Sequence, residues 1–172
     1  MRDTLVLTII GPDRTGLVES VSDRIAAVGG NWEESRMARL AGQFAGVLLV
    51  TVDGERTDQL LTALHGLERA GLRITAHPTA RAEPAPGHHI RLAINGQDRP
   101  GIIRDVARIL AEQAINVEEL DSEIRSAAMS AEHMFWARAR LYAPAGTDLA
   151  DLRARLERLS SELMVDLVPD DQ

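Results

Sequence analysis

The sequence predicts an α+β protein built from two ferredoxin-like units, each a four-stranded antiparallel sheet with two helices on one face. Segments with strand and helix periodicity follow one another in the order β-α-β-β-α-β, and the same order then repeats. The halves also match residue by residue at a fixed offset of 85, which pairs Leu7 with Leu92 and Val21 with Val106. A duplicated fold explains both observations.

The first half begins with a strand in which Leu5, Leu7 and Ile9 alternate with further apolar residues, a pattern typical of a strand covered on both faces. The next helix has apolar residues at helical spacing and is expected to end at Gly29-Gly30. The remaining elements are a strand over 31–40, a strand over 44–52, a helix around 60–67 and a strand over 72–77.

Residues 79–87 are rich in proline and predict an extended linker between a domain over 1–78 and a domain over 88–172. The second half has a hairpin expected to be longer, around Ser126–Glu132, and Thr147 is placed to cap its last helix. Its elements are a strand around 90–94, a helix around 103–110, a strand from 116, a strand over 134–142, a helix over 149–159 and a strand over 164–168, before a polar tail over 169–172.

The composition excludes several classes of function. A net charge of −7 disfavours binding to nucleic acid or to an anionic membrane. The absence of cysteine excludes disulfides, thiolate metal sites and cysteine nucleophiles. No signal peptide is evident and the apolar runs are too short to cross a bilayer, so we expect a cytoplasmic protein.

A short corner between strand and helix occurs twice, as Gly11-Pro12-Asp13-Arg14-Thr15-Gly16 and as Gly96-Gln97-Asp98-Arg99-Pro100-Gly101. The first glycine of each copy is expected to allow a sharp turn through a positive φ. Each aspartate is suited to cap the helix that follows. The second glycine leaves the helix amides open, and such amides attract carboxylates and phosphates. Each corner is therefore a candidate anion site.

The face of each sheet opposite its helices is expected to differ between the halves. In the first half it is predicted to be apolar, with Val6, Ile10, Phe44, Leu48 and Val50. Such a face needs cover, by the second unit or another subunit. In the second half the matching positions are more polar: Arg91, Trp136, Arg138 and Arg140. The first sheet is therefore the better candidate for a permanent interface.

With the corner and the repeat established, the chain resembles a tandem pair of ACT domains, small regulatory modules of which many bind amino acids. Two such domains without a catalytic domain are similar to the glycine cleavage system transcriptional repressor group. The corner also resembles the regulatory end of formyltetrahydrofolate deformylases, whose catalytic domain has no counterpart here. The resemblance implies that an effector lies between paired domains, held by corner amides and an acidic side chain, with an asparagine from the partner's second strand. Carried to this sequence, the ligand-binding candidates are Gly11, Asp13, Gly16, Leu17, Asn31, Gly96, Asp98, Gly101, Ile102 and Asn116.

Each of these residues also has a purely structural interpretation. Asp13 and Asp98 can act as helix caps alone, the glycines can serve turn geometry alone, and the two asparagines can be turn residues. Arg14 and Arg99 are expected to be solvated or to steer an anionic ligand.

Other motifs favour structural interpretations. His88-His89 favours an exposed strand edge over a metal site. The adjacent glutamates at 33–34 and 118–119 favour solvated edge charges over acid/base pairs. Gly11 and Gly16 have the spacing of the two glycines of a phosphate-binding loop, but the lysine that nucleotide binding requires is absent. The group around Trp136 is either a docking patch or the face between the two domains.

The sequence therefore favours a non-enzymatic regulator without a cofactor or metal. A free amino acid, with glycine or serine favoured by the resemblance, would bind at the domain interface and alter contact with a partner protein. In the resembling group that partner is a transcriptional activator of glycine cleavage genes. The alternative is a separate regulatory subunit of an amino-acid metabolic enzyme. A homo-oligomer, as a dimer, is expected.

Overall fold

The computed structural model describes residues 1–80, 85–126, 133–161 and 163–170. The chain divides into two units, Met1–Ala82 and Glu83–Gln172. Residues 81–84 of the predicted linker, 127–132 of the predicted longer hairpin and 171–172 of the predicted tail lie outside the described residues. The domain bounds 1–78 and 88–172 therefore stay predictions.

The first unit has six main elements in the predicted order. They are β1 (Arg2–Pro12), α1 (Leu17–Ala27), β2 (Asn31–Leu40), β3 (Gln43–Asp53), α2 (Thr57–His65) and β4 (Arg73–Pro78). Short 3-10 helices lie at Gly54–Arg56 and Glu68–Ala70. The sheet has the order β2-β3-β1-β4 and all its pairs are antiparallel. The two central strands are thus β3 and β1.

The second unit repeats this plan. Its elements are β5 (Gly87–Gln97), α3 (Ile102–Glu112), β6 (Asn116–Ser126), β7 (His133–Pro144), α4 (Leu149–Glu157) and β8 (Met164–Pro169). The sheet order is β6-β7-β5-β8, again antiparallel throughout. The predicted fold class, two β-α-β-β-α-β units with four-stranded antiparallel sheets, is confirmed.

Each unit has its own hydrophobic core on the helix side of its sheet. In the first unit, alternate residues of β1 (Leu5, Leu7 and Ile9) are buried together with Val21 and Ile25 of α1. The corresponding residues of the second unit belong to a separate cluster. Full burial of one such aliphatic side chain contributes about 1.5–3 kcal/mol to folding. The apolar residues at two-residue spacing in the strands and at 3.6-residue spacing in the helices, which predicted the elements, are therefore the residues that form the cores.

The open face of the first sheet differs from the prediction in its residues. β1 pairs with β3 so that Leu5 lies opposite Val50 and Leu7 opposite Leu48. Leu48 and Val50, and also Phe44, therefore lie on the helix side, and assigning them to the open face was wrong. The open face instead carries Val6 and Ile10 with three residues of β3, Ala45, Val47 and Leu49.

Within the first unit this face carries exposed residues. Ile10 is 50% exposed and Val47 is 48% exposed, and Thr8, opposite Val47, is exposed too. Cover for this face by the second unit or another subunit stays a prediction. In the second unit the register places Arg91, Trp136, Arg138 and Arg140 on the open face, as predicted.

The start of α4 corrects one predicted cap. Asp148 is the capping residue, and its Oδ1 accepts hydrogen bonds from the amides of Ala150 at 2.9 Å and Asp151 at 3.1 Å. Thr147 instead donates its hydroxyl to the carbonyl of Pro144 at 2.8 Å. The hydroxyl is one residue too early, because the helix begins at Leu149.

None of the helices in the described ranges is both long enough and apolar enough to cross a membrane.

Candidate functional site

The first corner joins β1 to α1 through residues 13–16. The amide of Asp13 donates to the carbonyl of Gly42 at 2.9 Å, and its carboxylate lies 2.6 Å from Nε of Arg39. Arg14 donates through Nη2 to the carbonyl of Ala70 at 3.0 Å. These contacts attach the corner to the β2–β3 turn on one side and to the segment before β4 on the other.

The glycine that requires a left-handed backbone is the second one of each motif. Gly16 has φ 87° and Gly101 has φ 85°, and each is the residue immediately before its helix. Gly11 and Gly96 lie inside strands, where the prediction of a positive φ was wrong. Gly11 is needed for space, because a Cβ there would lie 2.6 Å from the carbonyl oxygen of Gly71.

The predicted aspartate caps are also wrong. The capping residue of α1 is Gly16 and that of α3 is Gly101, so each aspartate lies three residues too early in the chain. Asp13 pairs with Arg39 instead, and the amide of Asp98 donates to the carbonyl of His133 at 2.8 Å. Because glycine has no side chain, neither cap supplies an acceptor to the first amides of its helix.

The second corner contains a charged cluster that the first one lacks. Asp105, on the first turn of α3, is buried; its Oδ2 lies 2.9 Å from Nη1 of Arg99 and its Oδ1 3.1 Å from Nη2 of Arg104. Arg108 approaches the same carboxylate at 4.0 Å. Hydrogen bonds from Arg99 and then Arg104 hold the pKa of Asp105 below its ordinary value of 3.8. Three guanidinium groups around one carboxylate give this corner a positive balance.

The corresponding position in the first unit, Ser20, carries no charge. Its hydroxyl donates to the carbonyl of Gly16 at 2.8 Å, within the same turn. The first corner is therefore held by the neutral Ser20 contact, by Arg14 and by the Asp13–Arg39 ion pair, and the second by the Arg99–Asp105 ion pair. Neither arginine is simply solvated, which corrects that expectation.

The two corners also differ in the surface beside them. A depression of about 430 Å³ at the second corner is lined by Asp98, Arg99, Gly101 and Ile102, together with residues of β6 and β7. It unites three of the predicted ligand-binding residues. The depression near the first corner, about 750 Å³, is lined by Ile10, Gly11 and Pro12 at the end of β1, by Gln43, and by residues in and before the start of β4. The second depression therefore unites more of the predicted ligand-binding residues.

Leu17 and Ile102 serve their sites only through the backbone. Their side chains are 3% and 4% exposed and belong to the two cores. Each is the first residue of its helix, so its amide is at the positive end of the helix dipole. An anion at either corner would therefore contact the amide and not the side chain.

The two predicted asparagines lie far from the corner of their own unit. Asn31 pairs with Thr51, which pairs with Thr4, whereas the corner follows Pro12 at the other end of β1. Along the strand that separation is about 26 Å. Asn116 has the same position in the second sheet, opposite Tyr142. A ligand that contacts both a corner and such an asparagine would thus need the asparagine of another domain.

The histidine pair is not at a strand edge, because β5 lies between β7 and β8. Nε2 of His89 is 3.1 Å from Oε2 of Glu118, and its ring meets that of Tyr142 edge-on. Glu33, at the same position in β2, accepts from the hydroxyl of Thr51 at 2.8 Å. Both glutamates lie where the pairing register shifts, on edge strands. Within the described ranges, no three His, Asp or Glu side chains are grouped to hold a metal.

Comparison with known proteins agrees with this architecture. Residues 3–77 match the family model described as the ACT domain, and the second unit repeats the same sheet order. The first unit is an ACT domain. The chain is 25% identical over 161 residues to the glycine cleavage system transcriptional repressor of Escherichia coli strain K12, covering 92% of this chain and 85% of that one.

Solved structures extend the comparison over both units of the chain. A crystal structure of an unknown protein from Galdieria sulphuraria matches with a TM-score of 0.87 and 26% identity, over 99% of both chains. A second, provisionally assigned to the glycine cleavage system transcriptional repressors, matches with a TM-score of 0.71 and 17% identity over 99% of both chains. The chain is therefore similar to that repressor in sequence over most of its length and to these two structures in fold.

Sequence reasoning missed the buried carboxylate of Asp105 and its partner Arg104. The signal was available, because the 85-residue offset places Asp105 opposite Ser20 and Arg104 opposite Glu19. A charge at a position where the sister unit has a hydroxyl indicates a local difference in chemistry.

Proposed function

We propose that the protein is a non-enzymatic regulator that binds a free amino acid at its glycine-lined corners and thereby changes its contact with a partner protein. Glycine or serine is the favoured ligand, by analogy with the system named for the bacterial relative. The observation that carries the proposal is the second corner, where Asp98, Arg99 and Gly101 line one depression.

The chemistry of that corner suits an amino acid. The amides at the start of α3 and the guanidinium of Arg99 are donors for an α-carboxylate. The carboxylate of Asp98 is an acceptor for an α-ammonium. Donors and an acceptor therefore line the same depression, which matches the two charges of a zwitterion.

The proposed partner is a protein, by the same analogy a transcriptional activator. A ligand can change the affinity of this protein for such a partner only if the ligand binds the free protein and the protein–partner complex with different affinities. The size of that difference sets the size of the change. The net charge of −7 favours a protein over DNA as the direct contact.

We also propose a homodimer in which another copy covers the apolar open face of the first sheet. Ile10 and Val47 are about half exposed on that face, and contiguous apolar surface of this kind marks interaction sites. A twofold pair would bury the same patch on both copies, so one apolar face suffices for a closed assembly.

Thermal unfolding with a panel of amino acids tests the ligand proposal. A ligand at a hundred times its Kd should add about 2.7 kcal/mol to the unfolding free energy. Gly101→Ala should reduce this gain, because an added Cβ at φ 85° strains the turn before α3 and would lie 3.0 Å from Nη2 of Arg104.

The matched control is Gly146→Ala. Gly146 has φ 87°, so the backbone strain is the same, but open space surrounds the added Cβ and the residue lies outside the corner. It should lower basal stability similarly and keep the ligand response. A flat response of the unmodified protein across the whole panel would contradict the ligand proposal.

A further inference from the structure

The open face of the second sheet carries a strip of arginines on its two central strands. Arg91 of β5 lies opposite Arg140 of β7, and Arg138 follows two residues away along β7. Like charges directly opposite one another destabilise a sheet unless other groups offset them. Asp170 offsets the first pair, because its carboxylate lies 3.0 Å from Nε of Arg91 and 3.4 Å from Nε of Arg140. That end of the strip is therefore neutralised within the unit.

Arg138 has no such counter-charge. Within the described ranges no carboxylate forms an ion pair with it, although Asp121 lies opposite it in the register. Its guanidinium instead lies 4.5 Å from the centre of the Trp136 ring. Arg125 of β6 stacks on the same ring at 4.6 Å, and its own charge is paired with Glu123. A contact with a ring holds a guanidinium in place without neutralising it. Arg138 is exposed, so its charge is available to a partner.

Apolar surface lies beside this charge. Asn95 lies between Trp136 and Met164 of β8, so Met164 shares the open face, and it is 64% exposed. A depression of about 240 Å³ has Asn95, Trp136 and Met134 among its walls, which is far more than the roughly 10–15 Å³ that one water requires. Tryptophan, methionine and arginine are the residue types enriched in protein–protein interfaces. This end of the face therefore combines a free cation with a site for an apolar side chain.

The acidic edge strands limit what can bind here. Asp121 and Glu123 of β6 flank the strip on one side, and Asp166 of β8 flanks it on the other. Neighbouring strands are about 4.8 Å apart, so the strip is only two strands wide. A single acidic segment fits this width, whereas a wide polyanion such as a nucleic-acid duplex would also lie over the acidic edges and be repelled. A second copy of the same face is disfavoured too, because the two arginine strips would meet.

We propose that the open face of the second sheet binds an acidic segment of the partner protein. A carboxylate of that segment pairs with Arg138, and an apolar side chain enters the depression beside Trp136. The two residues are two positions apart on one strand, a distance of about 7 Å, which matches residues i and i+2 of an extended segment. This inference rests on the proposed function, because it assigns a surface to the proposed contact with a partner protein.

Fluorescence anisotropy of a labelled synthetic peptide, titrated with the full-length protein, tests this. In the peptide, leucine and glutamate alternate with serine, so that leucine and glutamate lie two residues apart. Arg138→Glu should raise the Kd of the peptide about tenfold or more, as the loss of a central interface residue does. Trp136→Leu removes the ring that holds Arg138 and should also weaken binding. Higher salt should weaken binding to the unmodified protein, since these charges are exposed.

Arg24→Glu is the matched control variant. Arg24 is exposed in the last turn of α1 in the first unit, and its substitution changes the net charge by the same amount as Arg138→Glu. It should leave the Kd unchanged. The control peptide has lysine in place of glutamate and should not bind.

Trp136 also reports where the peptide binds. The chain has two tryptophans, so Trp32→Phe leaves Trp136 as the only one. Its emission should change when the peptide binds, and acrylamide should quench it in the free protein. An indole that acrylamide does not reach in the free protein would show that the face is already covered, and would overturn the proposal.

The outcomes separate this inference from the proposed function. Failure of the peptide to bind, or binding that Arg138→Glu and Trp136→Leu leave unchanged, would overturn the inference and leave the amino-acid proposal to its own test. Tighter binding of a single-stranded oligonucleotide of the same charge, again sensitive to Arg138→Glu, would overturn it in favour of nucleic acid. The absence of stabilisation by every amino acid would contradict the ligand proposal and leave this surface standing.

Discussion

The two units share one backbone plan but differ at three places. The first has Ser20 where the second has Asp105, has Trp32 and Met37 of its edge strand packed against its core, and has an apolar open sheet face. The second has Asp105 with its arginines, an apolar groove between α3 and β6, and a charged open face. Since the shared residues build the fold, the differing ones show where each unit was adapted.

That division assigns separate tasks to the units. An apolar open face suits a permanent contact, which is why the proposed dimer uses the first sheet. A depression lined by Asp98, Arg99 and Gly101 suits a zwitterion, which is why the ligand proposal is carried by the second corner. The predictions on assembly, on packing and on Asp105 each change one of these differences and use the other unit as control, and the prediction on helix caps compares two positions within the second unit.

The largest expected effect is on assembly. Val47→Glu places a charge at the centre of the apolar open face, opposite Thr8, and should convert the proposed dimer to a monomer, because a buried unpaired charge is costly. Light scattering after gel filtration measures the mass. Arg138→Glu changes the corresponding position of the second sheet, opposite Ala93, and should leave the mass unchanged. A dimer that persists in Val47→Glu would show that this face is not the interface.

The next effect is on the stability of the first unit. Trp32→Val gives β2 the residue that β6 carries and should cost about 2 kcal/mol, less than the roughly 3–5 kcal/mol for a fully buried Trp→Ala, because Trp32 is only half-buried. Val117→Ala in the second unit should cost about 1 kcal/mol or less. Urea denaturation measures both. Equal costs would mean that Trp32 contributes no more packing than Val117.

The fold could be predicted from the sequence because its signals are redundant. The offset of 85 residues, the twofold alternation of Leu5, Leu7 and Ile9 and the helical spacing of Val21 and Ile25 all indicate the same elements. It was harder to predict which residues of a strand face the helices. In β3 both alternating sets of residues are apolar, so composition does not tell which set faces the helices. Only the pairing of Leu5 with Val50 decides it.

The site was predicted only in part, and the physical reasons are specific. The corner glycines were found, but which glycine takes the positive φ depends on where the helix starts, and helix ends are uncertain by one or two residues. The apolar groove was missed because its walls come from four elements, β5, α3, β6 and β7. Such a space becomes visible only when the packing of these elements is known.

Removing a helix cap is expected to have a smaller effect on the free energy of unfolding. Asp148→Ala removes the acceptor of two amides at the start of α4 and should cost about 1 kcal/mol. Asp98→Ala should cost less, because Gly101 and not Asp98 caps α3. Thermal unfolding of the two variants side by side makes the comparison. A greater loss in Asp98→Ala would restore that residue as a structural element of the corner.

The smallest expected difference at neutral pH concerns Asp105, because its partners Arg104 and Arg108 are 78% and 64% exposed and water screens such pairs. The pKa of Asp105 is lowered in the folded protein, so its carboxylate stabilises the second unit above the ordinary value of 3.8. This contribution is lost as the pH falls below that value through the folded pKa.

Asp105→Asn should therefore have a lower free energy of unfolding than the unmodified protein at neutral pH. This gap in unfolding free energy should close as the pH falls below 3.8. Urea denaturation across that range measures the gap. Ser20→Ala, the matching change in the first unit, removes a neutral hydrogen bond to Gly16 and should give a gap that does not vary with pH. If the gap for Asp105→Asn were constant with pH, the arginines would act on Asp105 through packing and not through charge. The electrostatic difference between the two corners would then be without consequence for stability.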